Sequence, residues 1–112
     1  MHRSQAALAW DTSANVFAAL GDETRLRVVA RLCEEGPLSI ARLTEGANVT
    51  RQAVAKHLRV LSDAGLVKGS RVGRESVWKL RPRRLAEARR LLDVIAKEWD
   101  DTLERLRSFV ED

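Results

Sequence analysis

The stretch Thr50-Arg51-Gln52-Ala53-Val54-Ala55-Lys56-His57-Leu58-Arg59-Val60-Leu61 decides how the rest of the chain reads. Wound as a helix, it sets Val54, Leu58 and Leu61 on one face at i, i+4 and i+7, and spreads Arg51, Gln52, Ala55, Lys56 and Arg59 over the opposite side. One side can be buried, and the other offers guanidinium, ammonium and amide donors. Thr50 reads as an N-cap, because its hydroxyl can accept from the free amides of the first turn, and Gly65 reads as the stop. Just upstream, Ser39 opens a short segment with Ile40 and Leu43 as apolar positions, and Gly46-Ala47-Asn48 separates it from Thr50. A short helix, a tight glycine-containing turn and a longer polar-faced helix form the helix-turn-helix pattern, whose second helix enters a DNA major groove.

Downstream, residues 66–70 and 76–80 are two short strand-like runs around Arg71-Val72-Gly73-Arg74. In the second run Trp78 and Leu80 share a face with Lys79 opposite, the alternation of a half-buried hairpin. A hairpin directly after a recognition helix is a wing, and its tip would carry Arg71 and Arg74. Pro82 ends the hairpin and suits the first turn of a final helix over residues 83–110. Along that helix Leu85, Ala88, Leu92, Ile95, Trp99, Leu103, Leu106 and Val110 recur at steps of three and four. A stripe of roughly 40 Å, at about 1.5 Å per residue, is longer than a core of this size covers. Its economical partner is its own copy in a second subunit, assisted by the N-terminal helix. The expected dimer interface is therefore Leu8, Leu92, Ile95, Trp99, Leu103 and Leu106; the other reading is a helix folded back on its own domain.

Upstream, residues 4–20 read as a helix anchored by Leu8, Val16, Phe17 and Leu20. Gly21 breaks it. Asp22 caps a second helix running to about residue 35, where the recurrence of Leu26, Val29, Ala30 and Cys33 puts Cys33 on the buried face. Trp10, Trp78 and Trp99 could line an effector pocket, but read first as core or interface packing.

At 112 residues and 45% hydrophobic content the chain fits one domain with a modest core: residues 13–82 as a DNA-binding core and 83–112 as a dimerisation helix. The expected class is mainly α with a small β-hairpin, a winged helix-turn-helix that dimerises through its terminal helices. No run of about 18 apolar residues occurs and no signal segment opens the chain, so a soluble, cytoplasmic protein with no membrane partner is expected. The single cysteine cannot form an internal disulfide. Net charge is only +4, but it is unevenly spread. Residues 51–90 hold twelve basic and three acidic residues, a net of +9, whereas residues 91–112 hold three basic and seven acidic, a net of −4. The positive charge lies on the segment that already reads as a DNA reader, where it could neutralise phosphates; the blander reading is a solvated basic face.

Arg51, Gln52 and Lys56 are the candidates for base-edge contacts, since Arg or Lys suits guanine O6 and N7 and Gln suits adenine N6 and N7. Thr50, Arg59, Arg71 and Arg74 are the candidates for phosphates. A competing reading is a winged domain for protein–protein contacts, its basic belt docking an acidic partner and binding DNA non-specifically. His57 has no accompanying nucleophile, acid pair or phosphate loop, so no enzyme activity and no cofactor are expected; it would pack against the wing or donate to a phosphate.

The order of these motifs resembles the ArsR (ArsR/SmtB) winged-helix repressors. The resemblance rests on residues 17–27 (FAALGDETRLR), the segment 38–43, Gln52-Ala53-Val54-Ala55-Lys56-His57-Leu58 with Leu61, Ala64-Gly65-Leu66-Val67, and Gly73-Arg74 followed by Trp78 and Leu80. It implies a homodimer on a palindromic operator, released when an inducer binds; the residues themselves leave open a small-molecule effector, a partner protein, or a constitutive autorepressor with no effector. In the metal-sensing members two cysteines stand one residue apart where this chain has Ser39 and Ala41. Their other site uses aspartate and histidines on the final helix, yet no histidine follows His57 here. With one Cys and two His in all, one of them His2 at the chain start, no metal site of the known kinds is expected.

Overall fold

The computed structural model describes residues 5–111, with side chains from Trp10 onward. In chain order it runs α1 (Gln5–Leu20), α2 (Glu23–Glu35), β1 (Leu38–Ser39), α3 (Ile40–Thr44), α4 (Arg51–Asp63), β2 (Val67–Val72), β3 (Glu75–Leu80) and α5 (Pro82–Glu111). Side-chain caps begin three of the helices. Asp22, Ser39 and Thr50, all in extended backbone, accept from the amides of Arg25, Arg42 and Ala53 and so satisfy donors that a helix start leaves free. At the far end of α4, Gly65 adopts φ +79°, the left-handed conformation that turns the chain into β2.

The core gathers one face from each helix. Val54, Leu58 and Leu61 of α4 are fully buried and meet Val28, Val29 and Leu32 of α2 and Leu43 of α3. Val16 and Ala19 of α1, Leu38 of β1, Leu66 with Val67 of β2, and Ala88 of α5 complete it. Each large aliphatic chain among them contributes about 1.5–3 kcal/mol of burial. Residues 50–61 thus lie where their periodicity put them.

The sheet is larger than a hairpin. β1 pairs antiparallel with β3 (Leu38↔Trp78, Ser39↔Val77), giving three strands in the order β1-β3-β2. Two residues carry no periodicity, which is why the sequence showed no strand there. The hairpin turn is also tighter than expected: Val72 faces Glu75, so Arg71 and Val72 belong to β2 and only Gly73-Arg74, with Gly73 at φ +62°, form the tip. Gly69 sits opposite Trp78, and a Cβ at that position would lie 2.8 Å from the indole.

The reading of α2 needs correction. Cys33 is exposed, as are Leu26 and Ala30, while Val28, Val29 and Leu32 turn inward. Both sets recur at helical steps; α2 is apolar on two sides, and the side facing α1, α4 and β3 is the one buried.

α5 packs against α1 near its start, with Leu85 partly covered and Ala88 buried. Beyond Ala88 the stripe leaves the core: Leu92, Ile95, Trp99, Leu103 and Leu106 are 43–64% exposed. The helix does not fold back on its own domain, and the molecule measures 67 × 39 × 20 Å. The side chain of Leu8 lies outside the described residues, and so does His2. Among the described residues no helix is long and apolar enough to cross a membrane.

Candidate nucleic-acid interface

α4 presents its polar side to solvent. Arg51, Gln52, Lys56 and Arg59 are all exposed, and so is Thr50, whose Oγ1 accepts from Ala53 N at 3.1 Å and keeps its O–H free to donate. Elsewhere many cations are occupied: Arg27 by Glu23, Arg31 by Glu35, Arg42 by Glu45, Arg83 and Arg84 by Glu87, Lys97 by Asp101 and Arg107 by Glu111. On α4 and the wing, by contrast, Arg51, Lys56, Arg59, Lys68, Arg71, Arg74 and Lys79 make no ion pair and no side-chain hydrogen bond with the described residues.

The sheet register divides the wing. Arg71 shares a face with Gly69 and Trp78, the face that closes on Ser62 at the end of α4. Arg74 occupies the turn. On the other face Lys68 stands directly across from Lys79. Like charges so placed repel, and a phosphate between them would relieve the repulsion. These two lysines were not among the candidate contacts. Counting back from a two-residue Gly73-Arg74 turn pairs them, so a tighter reading of that turn would have found them.

His57, partly buried, finds its partners among the described residues on α2 and its cap, and none on the wing. Its Nδ1 lies 3.2 Å from Arg25 Nη1, which fits donation by the guanidinium to a neutral ring, and 3.9 Å from the Asp22 carboxylate. Arg25 Nε also donates to the carbonyl of Ala19 at 2.6 Å. One cluster therefore fastens α4 to the end of α1 and the start of α2, and His57 positions the polar face instead of contributing to it. Within the cluster the backbone N–H of Arg25 holds the Asp22 carboxyl below its ordinary value, and the Arg25 guanidinium adds to the effect. Among the described residues no three His, Cys, Asp or Glu side chains are grouped to hold a metal ion.

A polar-faced helix behind a capped turn, flanked by a winged hairpin, is matched by known proteins. A helix-turn-helix domain model covers residues 20–69. An HTH-type transcriptional regulator of Mycobacterium tuberculosis is 43% identical, across 77% of this chain and 91% of its own length. A solved ArsR-like transcriptional regulator from Rhodococcus sp. RHA1 superposes with a TM-score of 0.76 at 37% identity, over 89% of this chain and 93% of that one. The fold also matches a homodimeric winged helix-turn-helix DNA-binding domain from Mycobacterium bovis, a possible ArsR-family regulator, with a TM-score of 0.66 at 22% identity, over 88% of this chain and 90% of that one. With sequence, fold and an unpaired basic face in agreement, the chain belongs to the ArsR family of helix-turn-helix transcriptional regulators and acts by binding DNA.

Proposed function

We propose that the protein is a homodimeric repressor of a palindromic operator, with α4 of each protomer in successive major grooves about 34 Å apart. The observation that carries this is the unpaired basic face: Arg51, Lys56, Arg59, Lys68, Arg71, Arg74 and Lys79 gather on α4 and the wing with no carboxylate partner among the described residues, while Arg27, Arg31, Arg42, Arg83, Arg84, Lys97 and Arg107 are engaged by carboxylates. Arg51, Gln52 and Lys56 read base edges; Thr50, Arg59, Arg71 and Arg74 hold phosphates, with Lys68 and Lys79 added from the strand register. Dimerisation is supported by the exposed stripe Leu92, Ile95, Trp99, Leu103 and Leu106, a contiguous apolar face of the kind that marks an interface, and by the homodimeric Mycobacterium bovis neighbour. Ser39 and Ala41 replace the cysteine pair of the metal sensors and no histidine follows His57, so release from DNA does not run through those metal sites.

The test is binding of the purified protein to a duplex carrying its own upstream DNA, titrated against salt and against a scrambled duplex. Preference of about 10³ or more, with log affinity falling steeply against log salt, is the expected result. Equal, weak binding to both duplexes would overturn operator recognition and favour a winged domain that docks an acidic protein.

A further inference from the structure

Between α2 and the turn that leads into α4, the surface opens into a cleft of about 550 Å³. Its walls include Arg27, Val28 and Arg31 of α2, Leu43 of α3, and Ala47 and Val49 of the turn. The volume falls within the range of small-molecule sites, about 300–1,000 Å³. Its base is apolar: Val28 and Leu43 are buried in the core and Val49 packs against it. The charged groups around it are not equivalent. The Glu45 carboxylate is engaged by Arg42. Arg31, only 29% exposed, spends Nε on Glu35 and Nη1 on the carbonyls of Arg42, Leu43 and Glu45, and no acceptor among the described residues meets its Nη2. Arg27 has one bond, to Glu23, in a pair whose side chains are both more than three-quarters exposed. Such a pair contributes little, so Arg27 can exchange Glu23 for another anion at small cost. An apolar base beside two guanidinium groups with spare donors suits a molecule that is apolar along its body and anionic at one end.

The cleft also touches the moving parts of recognition. Ala47 lies three residues before, and Val49 immediately before, Thr50, the cap of α4, and Arg31 holds the end of α3 through its three carbonyl contacts. An occupant that wedges Val49 outward or draws Arg31 from those carbonyls changes the angle of α4 to α2. No residue of α1 or α5 lines the cleft, so pairing of protomers through those helices leaves it open.

We propose that this cleft binds a small amphipathic carboxylate, with its apolar body on Val28, Leu43 and Val49 and its anionic group on Arg27 and Arg31, and that occupancy lowers affinity for DNA. The effect on DNA rests on the operator-binding function proposed above; the site itself does not. The probe is decanoate, titrated without DNA into the ¹⁵N-labelled full chain, with decyltrimethylammonium as the cationic control. Saturable amide shifts at Val28, Ala47 and Val49 are expected with decanoate and not with the control. Arg27→Gln, at an exposed position, should keep the fold and weaken decanoate about fivefold, and Ala47→Leu should weaken it by narrowing the cleft. Shifts confined to residues 92–110, no saturable shifts, or equal binding of the cation would overturn the site. Operator affinity should fall at least about fivefold at saturating decanoate, and this coupling should shrink in Arg27→Gln. Decanoate bound in the cleft with operator affinity unchanged would overturn the regulatory half alone.

Discussion

In the proposed docking, Gln52 and Arg74 stand for two ways of meeting DNA. An amide in the groove discriminates between bases because it pairs donor with acceptor, whereas a guanidinium on the wing meets a phosphate that every sequence carries. Gln52→Ala should therefore relax sequence preference at one position by about 1–3 kcal/mol. Arg74→Ala should weaken all duplexes alike and lower the salt slope by about one. Equilibrium binding to a panel of single-base operator variants over a salt series separates the two, and unchanged binding in both variants would refute the docking. Gly69 matters for a different reason. A methyl there would meet the Trp78 ring at 2.8–3.0 Å, against an indole already packed on the core. Gly69→Ala should cost about 1–3 kcal/mol in urea unfolding, through overpacking of the wing against the helices.

At the scale of elements, the caps fix where α2, α3 and α4 begin, and one of them carries a pH dependence. Asp22 accepts from the Arg25 amide at 3.0 Å, and that bond favours its ionised form. Its folded-state pKa is depressed, so its contribution is present above the unfolded value of about 3.9 and is lost as pH falls through the lower folded value. Thermal melts below about pH 4 should show the loss. Asp22→Asn keeps a capping oxygen but cannot titrate, so its melting temperature should fall less over that window; an equal fall would assign the acid sensitivity to other groups. The same cap explains how α4 is aimed, since Asp22, Arg25 and His57 join it to α2 within one cluster.

At the scale of the molecule, α5 carries the proposed dimer. Thirty residues at about 1.5 Å each make a rod that outruns its own core, and its apolar stripe stays exposed from Leu92 to Val110. Leu103→Asp should place a charge in the paired face. Sedimentation should then show half the mass, and operator affinity should fall by about a hundredfold or more as one half-site binds without the other. A variant that sediments as the dimer with affinity intact would show that this face is not the one that pairs. Mild residual binding to any duplex should survive, because the basic face of each protomer remains.

Much of this was legible in the chain order of residues. α4, its Thr50 cap and its division into an apolar and a basic side follow from local spacing, which a 13-residue helix states several times over. The length of α5 and the outward stripe past Ala88 were legible for the same reason. What local spacing left open was any choice between two faces or any pairing across distance. Cys33 was expected inside, yet α2 offers apolar residues on two sides, and contact with α1, α4 and β3 selects Val28, Val29 and Leu32. β1 is two residues long and exists only because β3 lies beside it. Lys68 meets Lys79, and His57 meets Arg25, through partners 11 and 32 positions away in sequence. Periodicity is a property of neighbours along the chain, whereas burial and pairing are settled by which surfaces the folded chain brings together.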